Sequence, residues 1–241
     1  MFSTTVDEIA PDIFRLSTFI PEVGPSGFAF NQFLIRDAEP MLFHTGMRAL
    51  FPLVSEAVAT LIPLDELRWV SFSHVEADEC GSMNEFLAAA PRAQVVHGPL
   101  ACMVSLNDLA DRPPHVAGDE PLDIGAKRMR FIATPHVPHN WESGLWFEET
   151  TGTLLAGDLF TADGDLPALT EDDIIEPALV AESIFHATSM GPDLVPTLER
   201  LAALEPTTLA LMHGSSFHGD GAGQLRKLAA AYAEQLAAVT V

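Results

Sequence analysis

An α/β sandwich, with two β-sheets packed face to face and helices on their outer sides, is the architecture the sequence predicts. Three observations carry it. Helical and strand-like stretches alternate along the chain, each half holds several short apolar runs bounded by turn residues, and amphipathic helical stretches accompany those runs in both halves.

The first half opens with strand-like runs at 13–16, 28–35 and 40–44, separated by the turn-formers of EVGPSG and RDAEP, which predicts an antiparallel start. In 49–61 the apolar residues recur at helical spacing. A short strand at 68–72 leads into SHVEADECGS, and a helix at 81–90 and a strand at 93–97 follow. Pro113, Pro114, Gly118 and Pro121 mark a mid-chain break without the composition of a linker, so residues 1–241 read as a single domain in two halves. In the second half, 122–134, 144–148 and 153–157, with the turn Thr151-Gly152, form a β-meander that ends at Asp158. The acidic stretch 171–176 reads as a solvated loop. Helices at 181–187 and 194–204, a strand at 209–212 ending at His213, and an amphipathic helix at about 224–236 complete the chain.

Composition narrows the function classes. With 12 Lys+Arg against 34 Asp+Glu, the formal net charge of −22 repels a phosphate backbone, so nucleic acid is not an expected partner. The polar, acidic start and the lack of any run of eighteen apolar residues predict neither export nor membrane insertion. Cys80 and Cys102 are too few for a disulfide framework and match no zinc knuckle, which points to a reducing, cytoplasmic setting.

The chemistry is concentrated in His74-x-Glu76-x-Asp78-Glu79, one imidazole and three carboxylates directly after an apolar strand. In extended backbone His74, Glu76 and Asp78 project to one side, a geometry that presents several ligands to a small cavity. Read alone, HVEADE is equally a polar solvated loop. Three later residues shift the balance: His136 in TPHVPHN follows an apolar run, Asp158 ends TLLAG, and His213 ends LALM. Mixed imidazole and carboxylate donors suit iron, zinc or manganese, and the absence of thiolate argues against a structural zinc cage.

The order and spacing of these six residues resemble the metal motif of the metallo-β-lactamase superfamily, whose pattern is His-x-His-x-Asp-His, a distant His, a strand-end Asp and a final His. Residues 30–35 (FNQFLI), 43–46 (FHTG) and His213-Gly214 resemble further parts of that fold. The resemblance covers nearly the whole chain and implies a four-layer αβ/βα metallo-β-lactamase sandwich with its site at one edge between the sheets. Glu76 replaces the second histidine of the hydrolases, and His-x-Glu-x-Asp is similar to the flavodiiron and oxygen-binding diiron branch. That branch implies one ion held by His74, Glu76 and His136, a second held by Asp78 and His213, and Asp158 between them. Glu79 stands where flavodiiron proteins usually have a histidine, so the second ion takes a carboxylate from Glu79, binds weakly, or is absent. His44 occupies the place of an aspartate that supports the metal shell, and it reads as an orienting donor or as a core histidine. His139 and His218 are candidates for orienting a ligand or moving a proton, or are loop histidines facing solvent.

Two functions lead from the sequence, with a non-catalytic metal-binding or degenerate member of the fold as a third reading. The first is a dinuclear non-haem metal oxidoreductase, with two divalent ions, iron first and zinc or manganese as alternatives. It binds, reduces or uses a small oxidant such as dioxygen, peroxide or nitric oxide. The metal domain is expected to account for all 241 residues and to leave no room for a flavodoxin module, so either electrons come from a separate donor protein or the chain senses without turnover. The second is a dinuclear zinc hydrolase that attacks an ester, thioester, lactone or amide through a metal-bridging hydroxide. A small-molecule substrate fits both, and the family resemblance adds a homodimer.

Overall fold

The mid-chain break is where the chain changes sheets, among residues 2–239 that the computed structural model describes. Before it, β1 (Thr4–Ala10), β2 (Ile13–Ile20), β3 (Phe28–Ile35), β4 (Met41–Phe43), β5 (Trp69–Ser71), β6 (Gln94–His97) and β7 (His115–Val116) form one sheet in sequence order. Strands β1 to β4 pair antiparallel, and β4 to β7 pair parallel. After the break come β8 (Leu122–Asp123), β9 (Arg128–Ala133), β10 (Gly144–Glu148), β11 (Thr153–Leu155), β12 (Leu169–Thr170), β13 (Thr208–Ala210) and β14 (Ser216–His218). They are ordered β12-β14-β13-β11-β10-β9-β8.

Side-chain alternation then sets the layers. Ile13, Phe33, Ile35, Met41 and Phe43 of the first sheet share one buried cluster with Trp146, Leu155 and Ala210 of the second, so this cluster is the seam between the sheets. The intervening residues of the first sheet, Phe14, Leu16, Leu34 and Leu42, pack with Val54, Val58 and Phe86 of the helices Phe51–Ala59 and Met83–Ala89. Leu145, Phe147, Leu154 and Leu209 pack with Leu198, Leu201, Leu225 and Leu228 of the helices Leu194–Ala202 and Gly221–Val239. Successive strand residues point to opposite faces, so apolar character on both faces forces cover on both, and the result is the four-layer αβ/βα sandwich. No helix among the described residues is long and apolar enough to cross a membrane.

Local differences from the sequence-based elements have physical causes. The run at 122–134 is broken into β8 and β9 by a turn in which Ile124 N–H donates to Lys127 O (3.2 Å) and Gly125 takes φ +133°. The helix placed at 181–187 starts earlier, at Ile175–Phe185, because Pro177 falls in the first turn, where a missing N–H costs no helical bond. The acidic stretch therefore runs into a helix instead of forming loop throughout.

The β10–β11 hairpin is closed by a buried charge. Glu148 accepts hydrogen bonds from Thr150 N (2.9 Å) and Oγ1 (2.6 Å) through one carboxylate oxygen. Through the other it accepts from Thr151 N (2.8 Å) and Oγ1 (2.5 Å). Burial works to raise its pKa, but these four donors outweigh burial and hold the carboxyl below its usual value. A depressed carboxylate contributes stability above its unfolded-state pKa, near 4, and that contribution is lost as pH falls through the lower folded-state value. Glu148→Gln is expected to destabilise the fold by about 1.5–3 kcal/mol at pH 7. The deficit relative to wild type should shrink at about pH 3, read by urea unfolding at the two pH values.

Candidate metal centre

Parallel strands deliver their carboxyl ends to one edge of the sandwich, the usual position for a site in such sheets. β5 runs on into Ser73 and His74, β11 into Gly157 and Asp158, and β13 into His213. Gly157 adopts φ +53°, and a Cβ there would meet Ser73 Oγ at 2.7 Å, so a glycine is needed for the Asp158 strand end to pass this close to the His74 strand end. Asn31 in β3 fixes the third strand end: its Nδ2 donates to Leu211 O (2.9 Å) and Gly214 O (3.0 Å) on either side of His213.

The donor atoms form two groups that share one carboxylate. In the first, His74 Nε2 lies 2.8 Å from Glu76 Oε2, 2.8 Å from His139 Nε2 and 3.8 Å from Asp158 Oδ2. His139 Nε2 is 3.3 Å from Glu76 Oε2 and 3.5 Å from Asp158 Oδ2. In the second, His213 Nε2 lies 3.4 Å from Asp158 Oδ1 and 3.5 Å from Asp78 Oδ2. Its Nδ1–H donates to Ala29 O (2.8 Å), which directs Nε2 toward the carboxylates, and the rings of Phe28 and Phe30 pack on it at 4.3 and 5.3 Å. Asp158 thus turns Oδ2 to one group and Oδ1 to the other.

These separations fit a metal. For a metal–donor bond of about 2.1 Å, the edges of a tetrahedron or octahedron of donors are roughly 3.0–3.4 Å. His74, Glu76, His139 and Asp158 each offer one donor atom, all within 4.8 Å of one another. Two imidazole nitrogens facing each other at 2.8 Å in the first group, and in the second a buried Asp158 Oδ1 without a hydrogen-bond partner, are arrangements that a cation in each group explains.

Protein charges alone already point the same way. Burial works to lower the His74 imidazole, but Glu79, Glu76 and Asp158 hold it up at about 10. Burial likewise opposes His213, and Asp158 and Asp78 hold it at about 10. His139 and His74 keep the Glu76 carboxyl down at about 2. Asp158 is also depressed: burial would raise it, and His213, His74 and His139 outweigh burial. Carboxylates this concentrated demand cationic partners.

Three sequence-based assignments change. His136 does not join the cluster. It takes φ +66°, its N–H donates to Asn140 O (2.8 Å), and its exposed ring lines a separate hollow with Ser189 and Asp193. The turn that faces His136 outward brings in His139, which the sequence alone offers as an orienting or solvent-facing group; which of the two histidines of TPHVPHN points inward is decided by backbone conformation. Glu79 is not aimed at the cluster. It is buried behind His74, where Oε2 accepts from Ser73 N (2.8 Å) and His74 N (2.7 Å), and Oε1 accepts from Ser73 Oγ and stands 3.3 Å from His74 Nδ1. Finally, His74, Glu76 and Asp78 do not alternate along one extended strand. The backbone turns helical at Ala77–Cys80, so Glu76 stays with His74 while Asp78 is carried across to His213.

The supporting histidines divide as well. His44 is fully buried, with Nδ1 against Met212 Sδ and Nε2 3.7 Å from Glu79 Oε1, and burial pushes it down to about 3. It is therefore a neutral ring beneath the site. His218 is exposed and bonds Thr208 Oγ1 (3.2 Å) through Nδ1. In front of the donors lies a cavity of about 190 Å³, whose walls include Phe28, Phe185, Ala178, Ala181, Thr188 and Tyr232.

A two-sheet sandwich with imidazoles and carboxylates gathered at the strand ends of one edge defines a class of metallo-β-lactamase fold. A family model described as "ODP family beta lactamase" matches residues 28–214. A Nostoc sp. (strain PCC 7120) protein named "Putative diflavin flavoprotein A 1" is 27% identical over 204 residues, covering 78% of this chain and 34% of that protein. Among solved structures, the rubredoxin oxygen:oxidoreductase from Desulfovibrio gigas superposes with a TM-score of 0.84 at 18% identity, over 97% of this chain and 62% of that one. The metal-soaked Flv1 flavodiiron core from Synechocystis sp. PCC6803 gives 0.82 at 22% identity, over 98% and 61%. The chain spans about a third of the length of the curated relatives it matches. It belongs to the ODP beta-lactamase family.

The exchange of His136 for His139 has a direct test. His139→Ala is expected to lower bound metal, measured by elemental analysis after gel filtration, whereas His136→Ala leaves the metal content at the wild-type level. Equal loss in the two variants would contradict the geometry described above.

Proposed function

We propose that this chain, as one metallo-β-lactamase-like domain over residues 1–241, is a dinuclear non-haem iron protein that binds, reduces or uses a small oxidant such as dioxygen, peroxide or nitric oxide. The observation that carries this reading is the donor set. Glu76 stands beside His74 where hydrolases of this fold have a second imidazole, and Asp158 presents one oxygen to each of two donor groups. An anionic oxygen donor in place of a neutral nitrogen favours the more highly charged ferric state.

In this reading His74, Glu76, His139 and Asp158 would hold one ion, and Asp78, His213 and Asp158 would hold the other. Bound there, the ions would supply reversible one-electron chemistry toward a small ligand. The chain's own residues do the rest. Ala29 O and the rings of Phe28 and Phe30 orient His213 and exclude water from its flank. Glu79 and Ser73 fix the ring of His74 from behind. The cavity is smaller than the usual 300–1,000 Å³ or so of drug-sized ligand sites and is walled largely by apolar side chains, which suits a small oxidant. These features place hydrolysis of a bulkier ester or lactone second.

The names of the relatives support the same direction, since one solved neighbour is an oxygen:oxidoreductase that takes rubredoxin in its name and another is a flavodiiron core. Electrons would come from a separate donor protein, a reading supported by the solved neighbour whose name pairs rubredoxin with an oxygen:oxidoreductase. The two free cysteines support a reducing, cytoplasmic setting, and the family resemblance supports a homodimer.

Protein purified aerobically without added metal is expected to carry iron by elemental analysis and to show ferric absorption; colourless, zinc-loaded protein active on thioesters or lactones would contradict the proposal. Glu76→His is expected to shift the bound metal from iron toward zinc. An unchanged iron-to-zinc ratio in that variant would remove the role assigned to Glu76.

A further inference from the structure

The two donor groups around Asp158 are unequal. On one side four atoms converge: His74 Nε2, Glu76 Oε2, His139 Nε2 and Asp158 Oδ2; the two histidines lie 2.8–3.8 Å from each other and from the carboxylates, and all four residues offer donors within 4.8 Å of one another. On the other side there are three: His213 Nε2, Asp78 Oδ2 and Asp158 Oδ1.

Glu79, the residue next to Asp78, does not make up the difference. Its oxygens are engaged by Ser73 N, Ser73 Oγ and His74 N, and its carboxylate faces His74 Nδ1 at 3.3 Å. A carboxylate behind the ring of a ligating histidine raises the basicity of the far nitrogen, so Glu79 strengthens the four-donor side and adds nothing to the other. Among the described residues lining the cavity, the remaining carboxylate is Glu182. Its Oε2 accepts from Thr188 N (3.1 Å) and Oγ1 (2.7 Å), which ties it to the loop after its own helix.

Resting on the dinuclear reading above, we propose that the two positions differ in permanence. The four-donor position keeps a resident ion, and the position at Asp78, His213 and Asp158 Oδ1 is an exchangeable site for a divalent first-row cation. Metal supply thereby switches the chain between a one-ion and a two-ion form. Fewer protein donors leave more of the ion's coordination to water, which lowers affinity and speeds exchange, while Glu79 acts as a positioning residue for the resident ion alone.

The test is a titration of the full chain, stripped with a chelator, with Co(II), followed by calorimetry and visible absorption and paired with elemental analysis after rapid desalting. Two phases of one ion each are expected, with dissociation constants at least about tenfold apart, and one ion per chain should survive desalting. Asp78→Asn should remove the weaker phase and spare the tighter one. Glu79→Gln should weaken the tighter phase by about 10–100-fold and leave the weaker one in place. A single phase of two ions, loss of both phases in Asp78→Asn, or one ion at every Co(II) concentration overturns the inference while leaving metal binding at the cluster intact. No Co(II) uptake by the wild-type chain overturns the dinuclear reading together with it.

Discussion

Compensation of negative charge at one edge of the sheet seam is the constraint on which the site depends. Glu76, Asp78, Glu79 and Asp158 lie around three imidazoles, those of His74, His139 and His213, and Glu79 is almost completely buried. Carboxylates in such a setting are unfavourable unless cations or dense hydrogen bonding meet them. Glu79 is answered by backbone and hydroxyl donors, whereas Glu76, Asp78 and Asp158 face mainly imidazole nitrogens. Divalent ions meet the same demand with more charge at a single point, which is why the donor set favours them. The architecture serves this one place: strand ends converge there, Gly157 permits close approach, and Asn31 ties the His213 turn to the opposite sheet.

Much of the fold was legible because its strands are buried on both faces. Such strands read as continuous apolar runs, and β3, with all eight residues buried, is the plainest case. The four-layer arrangement followed from those runs and from the family resemblance, and the two sheets match it. Strands with little to bury were not legible. β1, TTVDEIA, has one buried residue and reads as polar chain, though it pairs with β2 along nearly its whole length. β7, β12 and β14 are two or three residues long and exist by virtue of their neighbours. Short pairings of this kind are a product of tertiary context, which local pattern does not encode.

At the site, His74, Asp158 and His213 stood out because each ends an apolar strand, and the structure brings all three to the same edge. Glu76 and Asp78 are there as well, although a helical turn and not an extended run presents them. The choice between His136 and His139 was hidden, since it depends on left-handed backbone at His136 and Asn140 within one short loop. The role of Glu79 was hidden for a related reason. Neighbouring residues of a helix point about 100° apart, so when the chain turns helical at Ala77, Asp78 faces the cluster and Glu79 faces the core.

Anomalous diffraction at the iron edge from crystals of the iron-loaded chain measures most directly whether the shared carboxylate organises two cations. Peaks are expected on both sides of Asp158, one among His74, Glu76 and His139 and a second, of lower occupancy, between Asp78 and His213. Iron bound at His136, or no anomalous density within bonding distance of Asp158, would contradict the assignment.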